Sequence, residues 1–525
     1  MRGIGLQLKQ QFGLPWIIPA SVWLGVTSWR PFVLGFYHDD WITLKEVAPR
    51  SLIADISTEL TDQASRPLYG VLAVILRRLV PFNPIIWQLF MGLLIAASAL
   101  AIGIFSSRLI MWATDDPATV RWSGAIAAAT WIAIPWDLGV TAWPTTFAAQ
   151  ISVIGFCALG YAIFDADSLK RRFMKAMLAF LLVSLISELF WISFIPLLFI
   201  SLGLERKGQT AHEKRREAAI LLSGFCVVQL FLVGLNRIVV HMSPATSRTF
   251  SHAWVNTVFL SLRLLPVEFK RSVLWPQASW LLIGVVLLGL VVGACFHPKR
   301  RLIALTIFAI VSGSFISIVL FALAGYRVES LGTSSRTAVV ISVWLSLIPA
   351  LVLAVSKRFG RPAQICACCT TVLLVLILSL SSINDLQAWI KSWDFEKQVL
   401  KHFPATDIAQ GAAQNSFVLV DAEHPDTYAE GFEAYWDISA GLYTSYPVLR
   451  KAFTPNGFRY FASMANLSKM QTLWDGRLLI QSWCTAPRTS LWELKAPGNL
   501  YLWRKSEQEF VRITPPIKLG CSRKE

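Results

Sequence analysis

The stretch Phe173–Leu204, FMKAMLAFLLVSLISELFWISFIPLLFISLGL, decides how this chain is threaded through a membrane. It is too long for one ordinary membrane span, which needs about 20 apolar residues. A single crossing would place the basic cluster at 206–216 on the outer side, against the positive-inside rule. Two crossings place that cluster inside and bring Ser187–Glu188 to the outer surface. We therefore predict two short helices that turn at Ser187–Glu188.

The composition of the whole chain agrees with a membrane protein. Of its 525 residues, 55% are hydrophobic and only 15% are charged, whereas a soluble domain carries about 25% charged residues. The mean hydropathy is +0.54. The net charge of +16 would suggest nucleic-acid binding in a soluble protein, but here the basic residues lie mostly in short loops between apolar runs. The positive-inside rule explains them better.

Apolar runs and loop charges together predict an all-α polytopic membrane bundle of about eleven transmembrane helices, followed by a small C-terminal α/β soluble domain. The transmembrane domain covers 1–383 and the soluble domain 384–525. In this topology the N-terminus is cytoplasmic and the C-terminal domain extracytoplasmic. Besides the pair within 173–204, the predicted spans lie near 14–36, 84–107, 121–138, 146–164, 218–238, 277–296, 302–324, 336–356 and 363–383.

Polar residues at the predicted outer ends of the spans form the candidate site. They come from distant parts of the chain yet share one membrane depth, which is typical of a site built from loops at one face of a helical bundle. These residues are His38, Asp39, Asp40, Arg66, Asp137, Trp143, Glu188, Arg327, Glu329 and Arg336.

The acidic pair Asp39–Asp40 opens the first outer loop, 37–83. A carboxylate beside a low-dielectric boundary can have a raised pKa, which suits a general base. Alternatively, two carboxylates can hold a divalent cation such as Mg²⁺ or Mn²⁺. A third interpretation is a solvated helix end with Trp41 as an interfacial anchor. We expect His38 and Trp41 to contact a substrate.

Three arginines on the predicted outer face suit an anionic ligand. Arg66 closes the first outer loop, and Arg327 and Arg336 flank a late polar loop. The planar guanidinium makes paired, charge-assisted bonds to phosphate. As alternatives to phosphate binding, Arg66 could fix the start of a helix, and Arg327 and Arg336 could contact lipid head groups. Glu188 is embedded among apolar residues, which favours a functional role or an ion pair with an arginine.

Some classes of protein are disfavoured by missing motifs. The sequence has no Walker-type phosphate loop, which disfavours an ATP-driven pump. It has no Gly-x-Ser-x-Gly elbow and no His-Glu-x-x-His motif. The predicted spans hold few central charges, which disfavours an ion or proton pathway.

These motifs resemble the GT-C superfamily of polytopic glycosyltransferases, which use polyprenyl-phosphate sugars, and most of all its bacterial members that assemble cell-surface polysaccharides. The resemblance covers about 14–383. It implies that Asp39 or Asp40, in Tyr37-His-Asp-Asp-Trp41, is the general base or a metal ligand. Ser187–Glu188 matches the family's Ser-(Lys)-Glu turn without the lysine, and Arg336 matches loosely the late arginine that faces the lipid phosphate.

The resemblance also implies a reaction and its partners. A sugar would pass from a polyprenyl-phosphate donor to a glycan or lipid acceptor, on the outer face of the bacterial cytoplasmic membrane and with inversion. The donor phosphate would lie among Arg66, Arg327 and Arg336, and Glu188 would assist catalysis. Two other functions stay open: a transporter or flippase for lipid-linked glycans, and a non-catalytic assembly protein.

Overall fold

The computed structural model describes most of the first four hundred residues and short parts of the rest. The described residues are 13–37, 40–44, 51–63, 66–165, 167–187, 190, 192–204, 209–242, 253–330, 333–403, 416–421, 445–446, 458–461, 471–472, 478–481, 491–494, 499–504 and 509–513. The chain forms two compact units. The first comprises Met1–Phe32 and Ala48–Leu386, and the second Val33–Val47 and Gln387–Glu525.

Helices dominate the described part of residues 13–403. In chain order the α-helices are α1 (Ile17–Val26), α2 (Arg30–Val33), α3 (Asp40–Thr43), α4 (Leu52–Asp62), α5 (Pro67–Leu79), α6 (Pro84–Ala113), α7 (Pro117–Ala133), α8 (Leu138–Thr141), α9 (Phe147–Phe164), α10 (Leu169–Ile186), α11 (Phe194–Gly203), α12 (Ala211–Met242), α13 (Trp254–Ser272), α14 (Pro276–Phe296), α15 (Arg300–Leu323), α16 (Val339–Leu345), α17 (Leu347–Ser356) and α18 (Arg361–His402). Short 3-10 helices lie at Leu14–Trp16, Pro144–Thr146, Thr333–Ala338 and Lys357–Phe359.

The predicted division of 173–204 into two helices is confirmed, and their two membrane crossings stay a prediction. α10 ends at Ile186, Ser187 is extended, and α11 begins at Phe194. Glu188 itself lies outside the described residues, as do Leu189 and Trp191.

The protein is a polytopic helical membrane protein. Among the described residues, seven helical segments are long and apolar enough to cross a membrane: Pro84–Ala113, Pro144–Phe164, Ala211–Leu235, Pro276–Phe296, Arg300–Leu323, Ser335–Phe359 and Arg361–His402. The predicted first span is interrupted, because α1 has 10 residues and turns separate it from α2. The count of about eleven spans, which rested on loop charge, stays a prediction.

α7 lies at the centre of the first unit. Every residue from Ser123 to Ala133 is buried, and most of them are small. Asp116 caps its first turn by accepting from the Thr119 amide at 3.2 Å, and Pro117 occupies the first helical position. Small residues let α7 and α6 approach closely, as is common between helices in membranes. Gly103 and Gly124 face each other at this contact.

Ion pairs connect the helix ends at one end of this bundle. Arg108 at the end of α6 pairs with Asp165 beyond α9 at 2.9 Å, and Arg172 on α10 pairs with Glu217 on α12 at 2.8 Å. Lys357 reaches Asp116 at 3.0 Å. These ends belong to the loops that the positive-inside rule predicts to be cytoplasmic. The candidate site residues of the first unit therefore belong to connections at the opposite end.

In the first outer loop, α5 is the helix that Arg66 was expected to fix, and α4 is a helix that the polar sequence did not predict. α4 and α5 pack together, and Arg77 pairs with Glu59 at 2.7 Å while Arg78 pairs with Asp55. Tyr69 and Ala73 of α5 pack with Phe147, at the start of α9, and with Ile186, at the end of α10. The two helices are thereby fixed to the end of the bundle that carries the candidate site.

The second unit contains two small sheets in its described residues. One has the strand order β2-β1-β6-β7, in which β1 runs parallel to β2 and β6 while β7 is antiparallel to β6. The other has the order β3-β4-β5 and is antiparallel. The seven strands, in chain order, are Ser416–Asp421, Phe458–Phe461, Gln471–Thr472, Leu478–Gln481, Leu491–Leu494, Asn499–Arg504 and Glu509–Ile513. Much of 384–525 lies outside the described residues, so an α/β domain with those bounds stays a prediction.

The contact between α6 and α7 can be tested with a single methyl group. A Cβ at Gly124 would lie 2.7 Å from the Gly103 carbonyl oxygen, so we expect Gly124→Ala to destabilise the folded protein by about 1–3 kcal/mol. Gly284 is a matched control, because a Cβ there meets nothing within 4 Å. Thermal unfolding in detergent measures both variants. Equal melting temperatures would contradict the close contact.

Candidate functional site at the connection between α7 and α9

The connection between α7 and α9, residues 134–146, is almost entirely buried and includes the four-residue helix α8. So short a helix leaves its last carbonyls without partners along the chain. Side chains from three other elements donate to three consecutive carbonyls instead. The pairs and their N–O distances are Gln150 to Val140 (2.9 Å), Arg30 to Thr141 (3.2 Å) and Gln88 to Ala142 (2.9 Å).

Arg30 brings a charge to this connection. Its side chain is 2% exposed, and its Nε also donates to the Val26 carbonyl at 2.9 Å. Burial lowers the pKa of Arg30 to about 10, although the electrostatic attraction of Asp137 acts to raise it. The guanidinium therefore stays charged at neutral pH. Sequence reasoning missed Arg30, although an arginine next to a long apolar run is a recognised functional signal.

Asp137 precedes α8 and is 1% exposed. Among the described residues, no group meets hydrogen-bond geometry with either of its carboxylate oxygens. Burial raises the pKa of Asp137 to about 8, although the charge of Arg30 and the nearby Ser342 hydroxyl oppose this rise. The Ser342 hydroxyl itself donates to the Ala338 carbonyl at 3.1 Å. Burial thus favours the protonated form of Asp137, and the charge of Arg30 favours its ionised form.

Arg336 approaches the same connection from the 3-10 helix Thr333–Ala338. Its guanidinium carbon lies 5.0 Å from the centroid of the Trp143 ring, a cation–π arrangement. The neighbouring Ser335 hydroxyl accepts from the Gly139 amide at 2.6 Å, which ties the 3-10 helix to α8. Two predicted outer residues, Trp143 and Arg336, are therefore brought into contact, and Asp137 lies on the same connection.

Arg66 reaches the end of the connection through two aromatic rings. Its Nε donates to the Gln63 side chain at 2.9 Å, and its guanidinium carbon lies 4.7 Å from the Tyr69 centroid. Tyr69 stacks on Phe147, the first residue of α9, with centroids 5.4 Å apart. Arg30 and Arg336 thus contact the buried connection directly, and Arg66 adjoins its end through Tyr69 and Phe147. Guanidinium groups held on aromatic rings are suited to binding phosphate oxygens.

Arg327 is placed differently from the other predicted arginines. It pairs with Glu329 and lies 3.9 Å from a carboxylate oxygen of Glu268 on α13. Two acids therefore compensate its charge.

The acidic segment belongs to the second unit. Asp40 is completely buried, begins α3, and accepts from the Tyr37 amide through Oδ2 at 2.7 Å. The Tyr37 hydroxyl donates to the Trp389 carbonyl at 3.0 Å, and their rings meet edge to face. Burial raises the pKa of Tyr37 well above its usual value. His38, Asp39 and the side chain of Trp41 lie outside the described residues.

The divalent cation that Asp39 and Asp40 could hold stays a prediction, since Asp39 is not described. Within the described ranges, no group of three or more His, Cys, Asp or Glu side chains is arranged to hold a metal ion.

The protonation of Asp137 gives a testable pH dependence. Because its pKa is raised on folding, wild-type stability falls as pH rises from about 4 to 8, where the unfolded chain loses a proton that the folded chain keeps. We expect Asp137→Asn to be more stable than wild type by a margin that grows between pH 5 and 8. Thermal unfolding in detergent across that range measures the margin.

Asp116→Asn is the control, because the pKa of Asp116 is shifted in the opposite direction. The pKa of Asp116 is lowered to about 2, first by its hydrogen bond from the Thr119 side chain. Its substitution should reduce stability by the same amount at every pH from 5 to 8. If Asp137→Asn is instead the less stable protein at pH 8, Asp137 is an ionised partner of Arg30 and the interpretation is wrong.

A scan of protein-family models and a search of curated proteins find no match to this chain. Among solved structures, the chain is similar to ArnT from Cupriavidus metallidurans bound to undecaprenyl phosphate, with a TM-score of 0.41 and 12% identity over 86% of this chain and 89% of that one. It is also similar to ArnT from the same organism in the apo state, with a TM-score of 0.39 and 11% identity over 89% and 91% of the two chains. At these values the likeness carries no argument about activity or residues.

Proposed function

We propose that this protein is a membrane glycosyltransferase that transfers a sugar from a polyprenyl-phosphate donor to a cell-surface glycan or lipid acceptor. The reaction takes place on the outer face of the bacterial cytoplasmic membrane. The observation that carries the proposal is the contact of Arg30 and Arg336 with the connection between α7 and α9, whose end Arg66 adjoins through Tyr69 and Phe147. The GT-C-like motifs of the sequence give the reaction class.

An anionic leaving group suits this arrangement. The phosphate of the lipid carrier is negatively charged in the donor and gains charge as the sugar leaves. Arg336 on the Trp143 ring and Arg66 on the Tyr69 ring would bind its oxygens. Arg30 is buried and engaged with backbone carbonyls, so its part is a fixed positive potential. Arg327, compensated by Glu329 and Glu268, is better suited to fixing α13 than to binding phosphate.

Asp39 and Asp40 would have different roles. Asp40 is buried and bound to the Tyr37 amide, which suits a residue that holds the segment in place. Asp39 would be the general base and Glu188 would orient the acceptor hydroxyl. The acceptor O–H bond breaks as its proton passes to Asp39, and the oxygen attacks the anomeric carbon. The bond from that carbon to the phosphate oxygen breaks, so polyprenyl phosphate leaves and the anomeric centre is inverted. Asp39 and Asp40 would hold a divalent cation if the enzyme uses one.

The role of the arginines predicts selective loss of lipid-phosphate binding. Undecaprenyl phosphate and undecaprenol, which lacks the phosphate, are the two probes. We expect Arg336→Gln and Arg66→Gln each to weaken binding of undecaprenyl phosphate by roughly 10- to 100-fold, since hydrogen bonds to charged groups contribute about 1.5–3 kcal/mol. Binding of undecaprenol should not change. Arg300→Gln, at an exposed position at the opposite end of the bundle, is the matched control. Equal affinities for both probes would contradict the phosphate site.

Replacement of Asp39 distinguishes a glycosyltransferase from a flippase or a non-catalytic assembly protein. We expect Asp39→Asn to lower sugar transfer in isolated membranes by roughly 10²- to 10⁴-fold, the usual contribution of a general base. Undecaprenyl-phosphate binding and protein level should stay at wild-type values. Unchanged transfer would favour a flippase or an assembly protein, for which no proton acceptor is needed.

A further inference from the structure

α13 presents three distinct faces along its length. Val258, Ser261, Leu265 and Ser272 are buried and form the face that packs on the bundle. Val255, Phe259 and Leu262, spaced by four and three residues, form a neighbouring apolar stripe that is exposed by 43%, 66% and 42%. The remaining face, called the basic face below, carries three basic residues and, beside them, the exposed Leu260 and Val267.

The basic face consists of Arg263, Lys270 and Arg271, all exposed. Among the described residues, none of the three forms an ion pair. The one acid of the helix, Glu268, is already engaged, since it accepts from the Ser330 amide at 2.8 Å and faces Arg327. The solvent side of α13 therefore combines these cations with exposed apolar side chains, which is typical of helices that lie in a membrane interface.

The position of α13 in the fold agrees with a location at the membrane interface. In sequence it lies between α12 and α14, each of which contains a candidate span. Its buried face packs against Ile318 and Ala322, in the last two turns of α15, which is another candidate span. The helix thus meets the bundle where a membrane-crossing helix ends.

α13 also contacts the connection between α7 and α9. The ring of Phe269 stacks on Trp136, the neighbour of Asp137, with centroids 4.7 Å apart. Ser261 accepts from the Val328 amide at 3.1 Å, and Glu268 holds the Ser330 amide. α13 is therefore linked both to the segment that leads to Arg336 and to the connection that carries Trp143.

We propose that α13 is an interfacial helix that binds anionic phospholipid head groups through Arg263, Lys270 and Arg271. The bound lipid steadies α13, and the Phe269–Trp136 stack passes this restraint to residues 134–146. The ligand is a bulk anionic phospholipid, distinct from the polyprenyl carrier. The inference depends on the membrane location of the protein and is independent of its catalytic activity.

Native mass spectrometry of the full chain released from nanodiscs tests the binding. The probes are phosphatidylcholine alone and phosphatidylcholine mixed with phosphatidylglycerol. We expect wild type to retain phosphatidylglycerol, and the triple variant Arg263→Gln, Lys270→Gln, Arg271→Gln to bind it roughly 10- to 100-fold more weakly, since each basic residue near an anionic surface adds about fivefold. The matched control, Arg300→Gln, Arg301→Gln, Arg358→Gln, removes three exposed charges elsewhere and should bind as wild type does. Equal retention by the two triple variants would overturn the proposal.

The coupling has a separate readout in hydrogen exchange. Phosphatidylglycerol should slow amide exchange in residues 134–146 of wild type at least severalfold. Phe269→Leu, which keeps the basic face, should retain the lipid and lose this protection. If the lipid slows exchange equally in both proteins, the Phe269–Trp136 stack does not carry the restraint. Size-exclusion profiles confirm that each variant is folded, and none of these measurements needs a sugar donor.

Discussion

The candidate site depends on three side-chain hydrogen bonds to consecutive carbonyls. α8 is only four residues long, and its surroundings are buried, so water cannot satisfy residues 140–142. Gln150, Arg30 and Gln88 satisfy them instead. A buried polar group left without a partner is destabilising, which makes these donors a requirement of the fold. One of the donors is a cation, so the same requirement places a positive charge at the centre of the site.

The charge of Arg30 contributes a positive potential to the candidate site. Arg30 is a buried cation, and burial raises the pKa of the neighbouring Asp137. Arg336 and Arg66 add two more guanidinium groups, each held against an aromatic ring. Preorganised cations near the membrane edge suit the phosphate of a lipid carrier, because they need no reorganisation when charge develops on the leaving group. Contact with α13 extends the same assembly toward lipid head groups.

Much of the fold could be predicted from patterns that a single sequence carries. The break at Ser187 followed from span length and loop charge, and the long apolar helices from their hydropathy. α4 and α13 were missed because their apolar faces are narrow and their sequences look polar on average. α18 continues through 383–402 without a break, past the boundary at 383 that the sequence predicts for the transmembrane domain.

The site could be predicted only in outline. Sorting polar residues by membrane side brought Asp137, Trp143 and Arg336 into one group, and contacts now join two of them. The pairing of Arg327 with Glu268 depends on tertiary packing between distant helices, which no spacing reveals. Arg30 carried a local signal beside a long apolar run, but its contact with Thr141, more than a hundred residues away, could not be predicted from the sequence.

A cryo-EM structure of the protein in nanodiscs with undecaprenyl phosphate would show where the lipid phosphate binds. We expect phosphate density within hydrogen-bond distance of the Arg336 and Arg66 guanidinium groups, beside the connection between α7 and α9. Phosphate density at another place, for example against the ion pairs at the opposite end of the bundle, would contradict it.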